Sequence, residues 1–256
     1  SGYHRNLHSF PTRRSSDLQS DKQNVIQLYQ DILEDARDFH IMVNFHGCTL
    51  PRGWQRTYPN LMSMEGVKGA ENYIFEPAYP AAAPWINTLL VFTRNAVGSM
   101  DYTPVTFSDN NNPHLTTWGH ELALAVVFES GWLHFADSAP AYAQAGAAAK
   151  AFLQQVPVAW DDTRYIAGIP GRYVVLARKK GEDWYFAGIN GQSSAQAVQF
   201  DFSLLGSGRF QALKISDGES ARQLVDESQI VRQEDKIQLN MPAFGGFVIQ
   251  AKRLPS

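Results

Sequence analysis

The sequence contains a single cysteine, Cys48, so no disulfide can form within the chain and the redox compartment is left open. It has no run of about 18 apolar residues, which excludes a membrane-spanning helix of ordinary length. The N-terminal residues also lack the apolar stretch of a signal peptide. We expect the chain to begin inside a domain, so this last absence does not fix a compartment.

Charge is scarce and nearly balanced, with 22 Lys and Arg against 25 Asp and Glu, for a net charge of −3. No basic excess marks a nucleic-acid partner, and none is predicted. Aromatic residues make up 12%, including six Trp and ten Tyr. Sugar-binding proteins use such rings for stacking, but large β domains also bury them in their cores. The 256 residues suffice for one large domain or two smaller ones.

The first 18 residues lack helical or strand periodicity. Within them, the stretch LHSFPTRRSSDL (7–18) resembles the translation of a common sequencing-adapter oligonucleotide. We interpret residues 1–18 as an artefact without regular structure, and we expect authentic protein from about Gln19 onward. The alternative is an ordinary polar terminus.

Residues 19–157 alternate between helix and strand patterns. Apolar residues recur at helical spacing over 21–39, and a short apolar run follows over 40–45. Residues 46–83 are predicted to form a long functional loop. Helices are predicted over 116–129, with Thr116 or Thr117 as N-cap, and over 140–155, whereas 85–97 fits a helix or a strand plus helix. Such alternation is typical of an α/β domain with a parallel sheet.

From residue 158 onward, short strands separated by turns replace the helices. Strands are predicted at 173–178, 184–189, 197–202, 210–215, 236–241 and 246–251. This pattern predicts an antiparallel β domain over 158–256.

Two glutamates in the loop-rich stretch are candidates for chemistry. Glu65 and Glu71 lie six residues apart, and Gly66 and Gly69 allow the backbone between them to turn closely. Two carboxylates in one cleft are the minimal equipment for glycoside hydrolysis, but they could also bind a hard cation such as calcium. From spacing alone, two solvated surface glutamates remain the simpler interpretation.

The sequence around these glutamates resembles a known family signature. Residues 46–71 read HG-x-x-x-P-x-G-x-x-RTYPN-x-x-x-x-EG-V-x-G-x-E, which resembles the signature of glycoside hydrolase family 97. Further segments resemble family motifs in the same order: GSMDYTP at 98–104, TTWGHELALAVVFES at 116–130, and the segment 156–191 that enters the C-terminal domain. Several motifs in the right order are more specific than one.

The resemblance implies an α/β plus β fold, with the C-terminal part of a (β/α)8 barrel over 19–157 and an antiparallel β-sandwich domain over 158–256. It implies a Ca²⁺-assisted exo-acting hydrolase of terminal α-linked hexoses, with an oligosaccharide as partner. Glu71 falls at the position of the general acid, and Glu65 at a calcium-ligand position. Because the acid lies close to the calcium in this family, Glu71 is a candidate for both roles. The expected location is the bacterial periplasm or the exterior.

Position 47 separates the family's subgroups. Inverting members carry Glu directly after the histidine, whereas Gly47 resembles the retaining subgroup. Retaining members use an Asp nucleophile on a strand upstream of the helix at residue 21, so we expect this nucleophile to be missing here. The chain is therefore predicted to be an inactive fragment of a retaining enzyme, with α-galactosidase favoured over α-glucosidase. The alternatives are a non-catalytic carbohydrate-binding or structural fragment, and an α-glycosidase without a metal.

Other residues have a functional and a structural interpretation. His46 and Trp54 could contact a sugar or serve packing, and Arg56 could bind a sugar hydroxyl, orient the acid or form an ordinary ion pair. Asp101 could orient a catalytic partner, but a turn-capping role is favoured. His120 lies mid-helix among apolar residues and is predicted to be a core histidine.

Overall fold

The computed structural model describes residues 18–109 and 112–255. The helices are α1 (Gln23–Asp38), α2 (Asn72–Phe75), α3 (Tyr79–Leu90), α4 (Trp118–Val127), α5 (Ala139–Gln144) and α6 (Ala147–Gln155). The strands are β1 (Val43–Phe45), β2 (Leu61–Met64), β3 (Asp162–Ile169), β4 (Tyr173–Lys180), β5 (Asp183–Asn190), β6 (Gln196–Asp201), β7 (Phe210–Asp217), β8 (Leu224–Val231), β9 (Lys236–Met241) and β10 (Gly246–Arg253). The prediction for residues 1–18 lies outside the described residues, except at Leu18.

Helix α1 is amphipathic, as its spacing predicts. Its buried residues Tyr29, Leu33 and Ala36 recur every three or four positions and form one face of the helix. The ring of Tyr29 lies edge-on to that of Phe45 on β1, with centroids 4.8 Å apart. After the helix, His40 adopts a left-handed backbone (φ 56°), so β1 begins at residue 43, later than the predicted 40. Helix α1 thereby covers one side of β1.

A small group of parallel segments follows. Strands β1 and β2 pair in parallel, and Met64 at the end of β2 forms a parallel bridge with Met100. The Met100 N–H in turn donates to the Glu129 carbonyl at 3.0 Å, so the segment that follows helix α4 lies beside Met100. Parallel strands beside helices fit the α/β prediction for this region. The (β/α)8 barrel itself stays a prediction.

The long loop predicted over 46–83 is wrong in part. It contains strand β2, helix α2 and the first half of helix α3. Strand β2 is short and reads Leu-Met-Ser-Met, without the β-branched residues that mark strands. Helix α3 has a proline in its first turn and Pro84 in its interior, a residue that normally indicates a break.

The C-terminal region is an antiparallel sheet of six strands in the order β3-β4-β5-β10-β7-β8, with a smaller β6-β9 pair. Side chains alternate between two faces, as strand geometry requires. On β4, Val174 and Leu176 pack on the helix side, whereas Val175 and Ala177 pack in the core shared with β6 and β9. The antiparallel prediction for this region is confirmed. Strands β3 and β8 were not predicted, since both lie at sheet edges and lack clean apolar alternation.

Helix α4 joins the two predicted domains. Every residue of the helix from Gly119 to Val127 is buried, and the helix packs in one core with β4, β5, β7 and β10. Apart from His120 and Glu121, the buried residues of the helix are apolar, as expected for a helix in an interior, and each buried Leu or Val contributes ~1.5–3 kcal/mol. The Thr117 side chain accepts from the His120 N–H, which confirms an N-cap there. The two predicted domains therefore share one hydrophobic core.

Within the described residues, no helix is both long and apolar enough to cross a membrane.

Candidate active site

Three chemically active side chains directly follow the ends of parallel segments. His46 follows β1, Glu65 follows β2, and Asp101 follows the bridged Met100. The backbone fixes these neighbours in space, because the Glu65 N–H donates to the Phe45 carbonyl at 2.7 Å and the Asp101 N–H donates to the Met64 carbonyl at 3.0 Å. Side chains at the carboxyl ends of parallel strands converge on one edge of a sheet, where α/β barrels keep their active sites.

Asp101 anchors this group. Its carboxylate is 2% exposed and contacts Asn44 Nδ2 at 2.6 Å, His46 Nδ1 at 3.0 Å and His134 Nδ1 at 3.1 Å. Burial by itself would raise the pKa of Asp101, but the hydrogen bonds from His46, Asn44 and His134 together hold it below its ordinary value. The carboxylate is thus ionised and orients two imidazole rings.

The other nitrogen of His46 points toward both glutamates. Its Nε2 lies 3.1 Å from Glu71 Oε2 and 3.7 Å from Glu65 Oε1. Hydrogen bonding to Asp101, with the added negative charge of the two glutamates, raises the pKa of His46 to about 9 despite burial. Asp101, His46 and Glu71 therefore form a continuous chain of contacts from the interior to the surface.

The two glutamates have different environments. The Glu65 side chain is 5% exposed, and one of its oxygens accepts the Gly47 N–H. Burial raises the pKa of the Glu65 carboxyl to about 7, and the negative charges of Glu71 and Asp101 act in the same direction. The Glu71 side chain is 37% exposed and can reach a molecule in solution.

The loop from Glu65 to Glu71 packs closely against the backbone of Thr49 and Tyr102. A Cβ at Gly66 would lie 2.9 Å from the Thr49 carbonyl, and one at Gly69 would lie 2.8 Å from the Tyr102 carbonyl. Both positions therefore require glycine for close approach, as the sequence predicts. The Tyr79 hydroxyl donates to the Lys68 carbonyl at 2.8 Å, and the Ala70 N–H donates to the Tyr102 carbonyl at 2.9 Å. These contacts fix where Glu71 points.

The cluster of His46, Glu65 and Glu71 has dimensions that suit one metal ion. One donor atom from each residue can be chosen so that all three lie within 4.8 Å of one another. Two oxygens bound to one calcium ion at 2.3–2.6 Å can be at most about 5 Å apart, so the spacing fits. The two carboxylates also supply the oxygen donors that calcium prefers.

Two sequence models of one family match the chain. The model described as Glycoside hydrolase 97 matches residues 3–67, and that described as Glycosyl-hydrolase 97 C-terminal, oligomerisation, matches residues 159–252. The chain belongs to glycoside hydrolase family 97. The first match includes the segment that we interpret as adapter-derived, and that interpretation stays a prediction.

Relatives in family 97 are similar over most of this chain. A probable retaining alpha-galactosidase from Streptomyces bingchenggensis (strain BCW-1) is 38% identical over 231 residues, which cover 90% of this chain and 34% of that protein. A solved beta-arabinopyranosidase is 34% identical with a TM-score of 0.82, over 90% of this chain and 37% of that one. A family 97 enzyme from Pseudoalteromonas sp. strain K8, in complex with acarbose, is 29% identical with a TM-score of 0.83, over 92% and 38%. This chain thus spans about a third of the length of these relatives.

Of the site residues that the sequence predicted, the structure brings His46, Glu65 and Glu71 together. It does not bring Trp54 to the site. Trp54 is buried beneath helix α1, with its ring centroid 5.0 Å from that of Tyr29, so the prediction of a sugar-stacking Trp54 is corrected to a core role. Arg56 is exposed, and no ion pair or hydrogen bond of the described residues joins it to Glu71. Its sugar-binding role stays a prediction.

The surroundings of Asp101 were not predicted correctly from the sequence. Asp101 was favoured as a turn cap, but it is the buried acceptor that orients His46. Asn44 and His134 were not singled out, and Trp132, whose ring centroid lies 5.6 Å from that of His134, was also missed. Asn44 and His134 both contact Asp101, which is more than 30 residues away from each along the chain, so no local pattern could have identified them. The position of Asp101 directly after an apolar Met was the available signal.

Proposed function

We propose that this chain supplies the acid/base carboxylate and the metal ligands of a retaining exo-acting α-glycosidase of family 97. The observation that carries the proposal is the partly exposed Glu71 carboxylate, which lies 3.1 Å from His46 Nε2. His46 is in turn oriented by the buried carboxylate of Asp101. A positioned carboxyl at the surface of a cleft is the group that a glycosidase needs to protonate a leaving oxygen.

In this proposal Glu71 is the general acid and then the general base. It donates its proton to the glycosidic oxygen as the bond breaks, and it removes a proton from the water that completes hydrolysis. Glu65 is unsuited to either step, because its carboxylate is 5% exposed and one oxygen is engaged by the Gly47 N–H. Glu65 is therefore assigned to the metal rather than to the sugar.

Glu65 and Glu71 would hold the calcium ion. When bound, a divalent cation supplies positive charge that polarises a substrate oxygen and offsets negative charge developing beside it. The buried position of Glu65 supports this role, since an ionised carboxylate with so little contact with water is stabilised by a cation. Calcium dependence is part of the proposal.

The nucleophile in the proposed reaction is an aspartate upstream of helix α1, outside the described residues. Gly47, in place of the Glu of inverting enzymes, supports the retaining assignment. We therefore expect this chain to be inactive by itself. We also propose that the complete enzyme acts in the periplasm or outside the cell.

Two substrate classes have support from the relatives. The Streptomyces relative is named a probable retaining alpha-galactosidase, which favours α-galactosides over α-glucosides. The solved beta-arabinopyranosidase is also similar, at 34% identity, and makes β-L-arabinopyranosides the second candidate. The two sugars share the arrangement of their ring hydroxyls and differ by a hydroxymethyl group. A site that only packs against its methylene discriminates between them by ~1–3 kcal/mol, whereas a site that hydrogen-bonds its hydroxyl discriminates more strongly.

The test uses this chain and a hybrid in which residues 19–255 replace the equivalent segment of the Streptomyces relative. Both are assayed on the nitrophenyl α-galactoside, α-glucoside and β-L-arabinopyranoside, with and without a chelator. We expect the chain alone to be inactive, and the hybrid to cleave the α-galactoside, to lose activity with chelator and to regain it with Ca²⁺. A folded hybrid that cleaves none of the three, beside an active intact relative, would favour the non-catalytic alternative.

A further inference from the structure

The two nitrogens of His46 have different surroundings. Nδ1 lies 3.0 Å from Asp101 Oδ2, an oxygen that also accepts from the Asn44 amide at 2.6 Å. Both oxygens of Asp101 face nitrogen atoms, of Asn44, His46 and His134, and a carboxylate oxygen accepts hydrogen bonds, so Nδ1 carries the hydrogen. In a neutral imidazole this leaves the lone pair on Nε2.

That Nε2 faces two carboxylates rather than a donor. It lies 3.1 Å from Glu71 Oε2 and 3.7 Å from Glu65 Oε1. A lone pair and two anionic oxygens repel one another unless a cation lies between them. The cation is either a proton on Nε2 or a metal ion within the cluster, whose donor atoms all lie within 4.8 Å of one another.

Asp101 favours the metal. Histidines that ligate metals almost always donate their other ring N–H to a carboxylate or carbonyl, which fixes the tautomer and the direction of the ring. Asp101 is in that position, is 2% exposed, and is further held by Asn44 and His134.

We propose that His46 Nε2 is a ligand of the metal ion, so that the site presents one nitrogen beside the oxygens of Glu65 and Glu71. The inference rests on the metal site of the proposed function, and it goes further by naming a third ligand, a positioning residue, Asp101, and a selectivity. A nitrogen donor matters little to Ca²⁺, which prefers oxygen, but it strengthens binding of Mn²⁺ and Zn²⁺. The site therefore accepts these transition ions as well as calcium.

The test needs no catalytic activity and uses the chain as it is. The chain is loaded with Mn²⁺, and electron spin-echo envelope modulation detects a nitrogen nucleus bound to the ion. Affinities for Mn²⁺, Zn²⁺ and Ca²⁺ are measured by calorimetry on the wild type and on His46→Asn, Asp101→Asn, His134→Asn and His40→Asn. Circular dichroism checks that each variant is folded. His134→Asn removes the other histidine on Asp101, and His40→Asn removes an exposed histidine at a left-handed position that Asn tolerates.

We expect nitrogen modulation in the wild type, in His134→Asn and in His40→Asn, and none in His46→Asn. Loss of a ligand or of its carboxylate partner should lower Mn²⁺ and Zn²⁺ affinity by about 10- to 100-fold, with a smaller change for Ca²⁺. Should His46→Asn not fold, wild-type chain labelled with ¹⁵N-histidine replaces it, because the ¹⁴N modulation must then disappear.

Three outcomes would overturn the inference. Bound Mn²⁺ without nitrogen modulation leaves a carboxylate site standing but removes His46 from it. Modulation that survives in His46→Asn assigns the nitrogen to another histidine. Absence of binding by all three cations contradicts both this inference and the metal site of the proposed function.

Discussion

At the scale of single residues, the carboxylates of the site differ in how far they are exposed to solvent, and these differences decide their roles. Glu65 and Glu71 are both glutamates, yet one is 5% exposed and the other 37%. Asp101 is buried as well, but three hydrogen bonds compensate for its charge. The chemistry assigned to each carboxylate follows from these environments rather than from residue type.

Replacing Glu71 by Gln in the hybrid enzyme should separate substrates by leaving group. Loss of the general acid should slow cleavage of an alkyl α-galactoside by ~100- to 10,000-fold, because its leaving oxygen needs a proton. Cleavage of an activated dinitrophenyl α-galactoside should fall much less. Initial rates on both substrates test this, with Glu76→Gln as control, since Glu76 forms an ion pair with Lys68 on the same loop. Equal rates for wild type and Glu71→Gln on both substrates would refute the assignment.

Replacing Tyr79 by Phe should destabilise the loop that carries Glu71. The Tyr79 hydroxyl donates to the Lys68 carbonyl at 2.8 Å and contacts the buried Tyr102 hydroxyl at 3.0 Å. We expect the free energy of unfolding to fall by ~1–3 kcal/mol, as for a buried group that loses its partner. Urea denaturation measures it. Tyr165→Phe removes a hydroxyl that donates to the Gly168 carbonyl on a side chain that is 58% exposed, and should change stability by less than ~0.5 kcal/mol. Equal effects of the two variants would contradict the argument.

At the scale of elements, helix α4 is the part that depends most on its surroundings. Two side chains accept backbone N–H groups of its first turn. Thr117, the N-cap residue, accepts from His120, and Asp217 on strand β7 accepts from Gly119. The Asp217 carboxylate accepts the Gly119 N–H at the helix start and the Gly246 N–H at the start of β10, both at 2.8 Å. One side chain thus satisfies donors on two elements that are far apart in sequence.

Replacing Asp217 by Ala should be strongly destabilising. It leaves two largely buried backbone N–H groups without their acceptor, and each such group costs ~1–3 kcal/mol. We expect the free energy of unfolding to fall by ~2–4 kcal/mol and the helix and sheet to unfold in one transition, as measured by thermal circular dichroism. Asp201→Ala serves as control, because exposed Asp201 accepts a single N–H, from Ser203, at the surface. A loss no larger than that of Asp201→Ala would mean that Asp217 is not the cap that holds the two elements.

At the scale of the whole molecule, the two predicted domains are joined by one hydrophobic cluster to which both contribute buried residues. Helix α4 packs on the face of the antiparallel sheet, and His120 lies fully buried where the helix passes β10. A Cβ at Gly246 would lie 2.8 Å from the His120 Cα, so helix and strand are in direct contact. A charge placed at this contact would have no solvent to stabilise it.

His120 should make stability fall in mild acid. Burial lowers the pKa of His120 to about 4, whereas the unfolded chain binds the proton near about 6.5. Its contribution is therefore present above about pH 6.5, declines as pH falls and is lost near pH 4, for a total of ~3 kcal/mol. Urea denaturation between pH 7 and 4 should show a weaker pH dependence for His120→Gln than for the wild type. His40→Gln, which changes an exposed histidine, should keep the wild-type slope. Parallel slopes for wild type and His120→Gln would exclude this origin.

The sequence by itself determined elements whose residues pack by a local period. Helix α1 and strands β4, β5 and β9 were predicted within two residues of their observed ends, because helical spacing or a short apolar run records which face is buried. His120 was also identified correctly, since it lies among apolar residues on a buried helix. The carboxylates Glu65 and Glu71 came from the ordered family motifs and their flanking glycines.

Only the tertiary structure decided the rest. Strands β3 and β8 owe their conformation to hydrogen bonds with one neighbouring strand, so their sequences carry little periodicity. Trp54 has an aromatic ring of the kind that stacks on sugars, but this ring packs against Tyr29, because helix α1 covers it. The role of Asp101 depends on His46 and His134, 55 and 33 residues away, brought together where parallel segments end. Contacts of that range leave no periodic trace in a single sequence, because the chain between them is free to vary.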